Sequence, residues 1–478
     1  MITKSNYIDY CKCPKLYYLR SNNVVAEKST SMDLINAQNG VEVGRIARGY
    51  FGDFKLVKKD TNENMVDETN HYIDLGVETI CEASAVYKDL FCSVDILHKN
   101  GDGYDIYEVK STKELKDIHE DDVSFQYYVF TNARYKIKNV YVLILNEDYS
   151  FNEKLEVQKY FKAVRIAPKE ITETELDRIR NLHKEGKTIC CKECKECGYF
   201  AHCYKDLPAD NIFTISSLRG ASDYYNTGII TYDDLKPYLK PSKETGGKAL
   251  EQIEYYQNDL GIKVKKEEVK NFLSTIKYPI YYLDFETIKD VIPFINDTHP
   301  NFDRIFQYSL HIQDSANSEL RHYEYLQENK YDNIDEVIDR LINDLGESGS
   351  IVVYSSFEET KIKSLIKLRP EKKEQLDAII SRLFDLEIPF KKRYIYCKEM
   401  VGHSSIKYVL PALCKDFEKA YSELPLVHKG DQAMLAYQQL ISVGGKEHDE
   451  IKNALLEYCK LDTLAMVKVF ERICELIA

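Results

Sequence analysis

The sequence predicts an α/β protein with two separate acidic centres, and three observations carry that reading. Apolar or alternating runs that read as strands recur between helical stretches in both halves of the 478-residue chain. Carboxylates fall on predicted buried strands at Asp95 with Glu108-Val109-Lys110, and again at Asp284-Phe285-Glu286, joined downstream by Tyr458-x3-Asp462. A cysteine cluster, residues 190–203, lies between the two.

The 44% hydrophobic content is enough for two or three domains with cores of their own. No run approaches ~18 uncharged apolar residues, so no membrane partner is expected. Met1-Ile-Thr-Lys-Ser-Asn has no apolar export core, and a cytoplasmic protein is expected. Thirteen cysteines in that setting read as reduced thiols or metal ligands. A net charge of -13 opposes broad phosphate contact and confines any nucleic acid to a local groove. With no Trp and 37 Tyr, base stacking would fall to Tyr or Phe.

The elements follow in order. Residues 5–20 read as a helix with Tyr7, Cys11, Leu16 and Tyr17 on one face, and residues 33–51 as a second. Residues 77–112 turn to strands, the last two forming a hairpin across Lys99-Asn-Gly-Asp-Gly103. A helix over 121–134 and a strand over 140–145 complete an αβββαβ order, and a first domain is expected over 1–205. Residues 206–277 read as a helical connector. Within it, Leu218-Arg-Gly220 and Gly228-Ile-Ile-Thr231 suggest a helix-hairpin-helix, a backbone phosphate clip. A second α/β domain is expected over 278–478, with strands at 279–284, 305–312 and 351–354 and a last helix over 447–476.

The two acidic sets ask for a counter-charge. Asp95 and Glu108 fall on adjacent strands, and Lys110 lies two positions on, on the same face as Glu108. Two carboxylates hold Mg²⁺ or Mn²⁺ through oxygen. Such a cation polarises a phosphate and lowers the pKa of its water. Lys110 would orient that water, and Gln126 would position the cation or the substrate backbone. In the second half, Asp284 and Glu286 share a strand face, Tyr458 and Asp462 share a helix face, and Phe357-Glu358 opens a helix after Tyr354. Two of these acids within ~5 Å repel by ~3 kcal/mol at an effective dielectric near 20, which cations offset. Tyr458 would orient the attacking water. His311 and His403 read as hydrogen-bonding residues, and Asp385 as a helix cap or strand-end turn. Lys407 and the basic run Lys391-Lys-Arg393 read as phosphate contacts or solvated side chains. Cys194-x2-Cys197-x5-Cys203 with Cys13 gives four thiolates suited to an iron–sulfur cluster or Zn²⁺, with Cys11, Cys190 and Cys191 as rival ligands.

Thr3-Lys-Ser-x-Tyr7, Cys13-Pro-Lys-x-Tyr17, Asp95, Glu108-Val-Lys-Ser-Thr112 and Gln126-Tyr-Tyr resemble the RecB-like nucleases of PD-(D/E)XK kind. The resemblance covers residues 1–205 and implies a restriction-endonuclease-like fold. It implies Asp95 and Glu108 as metal ligands, Lys110 as the catalytic lysine and Gln126 as the helix motif. It also implies a structural [4Fe–4S] staple on Cys13, Cys194, Cys197 and Cys203, with Zn²⁺ the alternative. Gly44 stands where many relatives carry His, with Glu42 or Glu82 as substitutes, and Phe130 stands where Tyr is expected.

Residues 278–478 resemble the DEDD 3′–5′ exonucleases of ribonuclease H-like, DnaQ-like fold, tyrosine subtype. The motifs are Tyr278-Pro-x3-Leu-Asp-Phe-Glu-Thr287, Phe306-Gln-Tyr-Ser-Leu-His311, Gly402-x-Ser-Ser-Ile-Lys407-x-Val-Leu-Pro411 and Tyr458-Cys-x-x-Asp-Thr463. That resemblance implies Asp284, Glu286, Glu358 and Asp462 as metal ligands and Tyr458 as a catalytic residue, with Glu358 where Asp is usual. Nearly the whole chain resembles an uncharacterised bacterial family that joins the two domains. The expected function is a metal-dependent nuclease trimming DNA with single-stranded ends, in defence, CRISPR spacer processing or repair. The alternatives are a nucleic-acid-binding protein with one or both nuclease folds inactive, and an exonuclease acting on RNA.

Overall fold

A computed structural model of the chain describes residues 1–26, 31–182, 194–417 and 419–478. The architecture is mixed α/β, in two compact units. One holds residues 1–205 and 290–302, the other residues 206–289 and 303–478. The stretch expected to act as a connector, 206–277, is thus part of the second unit.

The first unit is built on a seven-stranded sheet. Its strands are β1 (Ile2–Thr3), β2 (Lys55–Leu56), β3 (Thr79–Tyr87), β4 (Leu90–Asn100), β5 (Gly103–Val109), β6 (Ile137–Leu145) and β7 (Phe161–Ile166). They run in the order β2-β3-β4-β5-β6-β7, and β1 pairs in parallel with the start of β4. β4 and β5 form the hairpin, pairing Ile96 with Tyr107 and Leu97 with Ile106. Alternation along β4 buries Cys92, Val94 and Ile96 and leaves Asp95 between them partly accessible. The helix Asp117–Asn132 buries Val123, Phe125, Val129 and Phe130 in the main core with Val94, Ile106 and Val142.

At the N-terminus the expected single helix is two, Lys4–Lys12 and Pro14–Ser21. The break falls at Cys13, whose φ of -166° and ψ of 119° are extended. A residue before proline is pushed out of the helical region, and Pro14 then serves as the first residue of the second helix.

The second unit contains a two-stranded ribbon of β8 (Lys263–Val264) and β14 (Ile395–Tyr396). Its main sheet has five strands: β9 (Ile280–Asp290), β10 (Phe302–Gln313), β11 (Leu320–Leu326), β12 (Ser350–Val353) and β13 (Leu383–Asp385), in the order β11-β10-β9-β12-β13. β10 and β11 are antiparallel, whereas β9, β12 and β13 run parallel. The 33-residue helix Gly445–Ile477 is tied to the sheet by polar bonds as well as apolar packing. Gln307 Nε2 donates to the Leu455 carbonyl at 2.8 Å, and Thr463 Oγ1 lies 2.8 Å from both Ser309 Oγ and His311 Nδ1. Buried polar groups of this kind fix one helix register, because a slip leaves them unsatisfied.

Two sequence expectations change here. The amides of Ile230 and Thr231, which a backbone phosphate clip would present, are both taken by Asp234 Oδ2 at 3.2 and 2.9 Å. The basic run is not a surface patch throughout. Arg393 is buried, stacked over Tyr396 and bonded to the Gly402 carbonyl at 2.8 Å, while Lys391 pairs with Glu387. Among the described residues no helix is long and apolar enough to cross a membrane.

Candidate metal centre

In the second unit β9 carries Asp284 and Glu286 two positions apart, which places both on one face. The long helix supplies Asp462, and one turn earlier Tyr458. One carboxylate oxygen from each of Asp284, Glu286 and Asp462 lies within 4.8 Å of the others. Among the described residues this is the only group of three or more His, Cys, Asp or Glu ligand atoms so close.

Glu358 joins the group through the turn after β12. Ser355 sits there with φ of 92°, and its amide donates to Asp385 Oδ1 at 2.9 Å. Asp385 also accepts from the Glu387 amide at 2.9 Å, so it acts as a strand-end brace. The helix Phe357–Leu368 then begins and delivers Glu358 into the interior. Its Oε2 is buried with no hydrogen-bond partner, a costly state for a carboxylate. The nearest lysine on that helix, Lys361, is engaged by Asp303 at 2.7 Å.

The electrostatics match this crowding. Burial first, then the charges of Asp462, Glu358 and Glu286, push Asp284 well above the usual carboxylate range. Glu286 is pushed up by burial and by Asp462. Burial, with Asp385 nearby, raises Glu358 to about 8. Asp462 rises less, to about 6, because Tyr421, Tyr458 and Lys407 offset part of its burial. Four acids that resist ionisation together form a donor set that hard divalent cations satisfy through oxygen.

Sequence reasoning missed Tyr421. Its hydroxyl donates to Asp462 Oδ1 at 2.6 Å, and its carbonyl lies 2.7 Å from His428 Nδ1. No motif spacing marks it, since it reaches the site from a turn segment far from Asp462 in sequence. Gly430, which opens the helix Gly430–Leu440, also borders the site: a Cβ there would lie 3.8 Å from Glu286 Oε2.

In the first unit the hairpin register brings Asp95 beside Glu108, and Lys110 and Gln126 close on the same point. Two unforeseen residues complete the cluster. Lys4 Nζ lies 2.9 Å from Glu108 Oε1, and Asp122 Oδ2 accepts from Lys110 at 2.6 Å. Asp122 was recoverable from spacing, standing one turn before Gln126 on the same helix. Lysines pair Glu108 and Asp122 here, whereas Asp95 Oδ2 accepts from the Val109 amide. Glu42 and Glu82, the substitutes considered for the absent His, pair with Arg45 and Arg48.

The described cysteines form no disulfide. Cys190 and Cys191 lie outside the described residues. The Tyr199 hydroxyl donates to the Val24 carbonyl at 3.0 Å, tying the segment that bears Cys194, Cys197 and Cys203 to the N-terminal helices flanking Cys13. Cys11 contacts Tyr7, and burial pushes its thiol up to about 11. No three described cysteine sulfurs lie within 4.8 Å of one another.

Residues 281–405 match a domain of unknown function, DUF2779. Uncharacterized protein MG366 of Mycoplasma genitalium is 29% identical over 246 residues, covering 47% of this chain and 36% of that protein. Its homolog in Mycoplasma pneumoniae is 28% identical over 219 residues, covering 42% of this chain and 33% of that protein. Uncharacterized protein UU173 of Ureaplasma parvum is 21% identical over 501 residues, 98% of this chain and 66% of that protein. The chain thus spans about a third of the length of the two Mycoplasma relatives it matches. No solved structure matches.

Proposed function

We propose that the chain is a metal-dependent nuclease whose working centre is the Asp284, Glu286, Glu358 and Asp462 cluster, acting as a 3′–5′ exonuclease on DNA with single-stranded ends. The observation that carries this reading is the meeting of three carboxylates within 4.8 Å, beside a fourth whose Oε2 has no partner. These four residues would hold Mg²⁺ or Mn²⁺. Bound divalent cations supply polarisation of the phosphate and a water of lowered pKa. Asp284 and Asp462 stay partly accessible, so a substrate end can reach them, while Glu358 is held from behind. Tyr458 lies beside Asp462 and orients the attacking water. Lys407 acts on Glu286 and Asp462 as a nearby positive charge and contacts the substrate phosphate.

The RecB-like reading of the first unit is part of the same proposal, and its fold serves as a nucleic-acid-binding body. The lysine pairing of Glu108 and Asp122 favours binding over cleavage there. A [4Fe–4S] cluster on Cys13, Cys194, Cys197 and Cys203 would staple the ends of that unit together.

The test is degradation of matched end-labelled DNA and RNA oligonucleotides in Mg²⁺ and Mn²⁺. The reading requires 3′-end shortening that is lost in Asp284→Asn and kept in Lys110→Ala. Faster shortening of RNA than DNA would make the substrate RNA, and equal activity in Asp284→Asn would remove the proposal.

A further inference from the structure

The first acidic cluster has the sequence of a metal site, but its donor atoms are already spoken for. Glu108 Oε1 accepts from Lys4 at 2.9 Å and Lys110 at 2.7 Å, and its Oε2 accepts from Gln126 at 2.6 Å. Asp122 Oδ2 accepts from Lys110 at 2.6 Å, and its Oδ1 from Gln126 at 3.0 Å, with Lys4 3.5 Å away. Asp95 Oδ2 accepts from the Val109 amide at 2.6 Å. Two ammonium groups therefore stand against three carboxylates, and Glu108 and Asp122 each have both oxygens bonded.

Lys4 is placed there by the backbone. Ile2 and Thr3 pair with Leu90 and Phe91 of β4, and Thr3 caps the helix that Lys4 opens through a reciprocal bond with Asn6. A positive residue in the first turn of a helix opposes the helix dipole, and this first turn holds no acid. Pairing with Glu108, whose side chain is 3% exposed, outweighs that opposition. The second acidic cluster contrasts with this, because its neighbour Lys361 is held by Asp303.

We propose that the Lys4 ammonium is the resident cation of the Asp95, Glu108 and Asp122 cluster, and that a divalent cation enters this cluster only by displacing it. The cluster is thus locked by the side chain of Lys4. This claim concerns a separate set of residues and stands whether or not the Asp284 cluster is catalytic.

The experiment is Mn²⁺ titration of the full chain, followed by electron paramagnetic resonance of free Mn²⁺, in an Asp284→Asn/Asp462→Asn background. With Lys4 intact, that protein should show no Glu108-dependent Mn²⁺ binding at the concentrations that fill the site in Lys4→Met. Lys4→Met should tighten Mn²⁺ binding by about tenfold or more. Glu108→Gln should abolish the gain, and Lys4→Arg should behave like the parent. Removing Lys4 leaves buried charge behind, so the thermal midpoint of each variant is recorded to show that it is folded. Two results overturn the proposal: Glu108-dependent Mn²⁺ binding at those same concentrations with Lys4 in place, or a folded Lys4→Met protein that gains none. Failure of the wild-type chain to bind Mn²⁺ at Asp284 would count against the proposed function and leave this comparison intact.

Discussion

The Tyr421 hydroxyl donates to Asp462 Oδ1 at 2.6 Å, and Tyr458 reaches the same carboxylate from one helical turn away. Two phenols from different segments thus bond one acid. Removing a hydrogen bond to a charged group costs about 1.5 kcal/mol or more. Tyr421→Phe should therefore weaken Mn²⁺ binding by about tenfold while the fold survives. Unchanged affinity would place Tyr421 outside the centre.

The acidic cluster should make stability depend on pH. Glu358, held up at about 8, and Asp462, at about 6, bind protons in the folded chain that the unfolded chain has already released. Their stabilisation is full at acid pH and is lost as pH rises from the ordinary carboxylate range near 4 to about 8. The slope is about 1.4 kcal/mol per pH unit for each such proton. Thermal midpoints of the metal-free protein should fall across this window, Mg²⁺ should restore more at pH 8 than at pH 5, and Glu358→Gln should flatten the dependence. A Glu358→Gln slope equal to that of the wild type contradicts the assignment.

Anaerobically purified protein should contain iron and sulfide in preference to zinc. A cluster joining Cys13 to Cys194 would close a loop over most of the first unit, and a cross-link over such a loop is worth about 5 kcal/mol in the chain-entropy picture. Cys197→Ser should lose the iron and lower the midpoint. Zinc at one equivalent, with no iron, would replace the cluster reading with a zinc site.

Thr463 bonds Ser309 and His311, while Ser309 also lies 2.9 Å from His322 Nε2. Thr463→Val keeps the volume and leaves these groups unsatisfied, which costs about 1–3 kcal/mol. Because Asp462 is the adjacent residue, Mn²⁺ affinity should fall along with denaturation midpoint. Loss of stability with unaltered affinity would separate this network from the centre.

Much of this organisation is legible in the sequence because strand and helix periods are simple. Asp284 and Glu286 share a face since the strand period is two, and Tyr458 with Asp462 since the helix repeats near four. Asp95 and Glu108 meet because the turn at 101–102 sets the hairpin register. What escaped is what tertiary folding brings in from a distance. Lys4 enters through a two-residue strand too short to show a pattern, and Tyr421 comes from a turn segment with no periodicity at all. Arg393 looked like surface because charge runs usually are solvated, but its guanidinium is buried against Tyr396. The helix break at Cys13 was written in Pro14, whose effect on the preceding residue the apolar spacing of 5–20 masks.

The most direct measurement is hydrolysis of a 5′-labelled single-stranded DNA oligonucleotide in Mn²⁺ by the wild-type chain and by Asp462→Asn, both verified as folded. A ladder of 3′-shortened products from the first and intact substrate with the second is the predicted result. Equal ladders from both proteins, or none from a wild-type chain saturated with Mn²⁺, would contradict it.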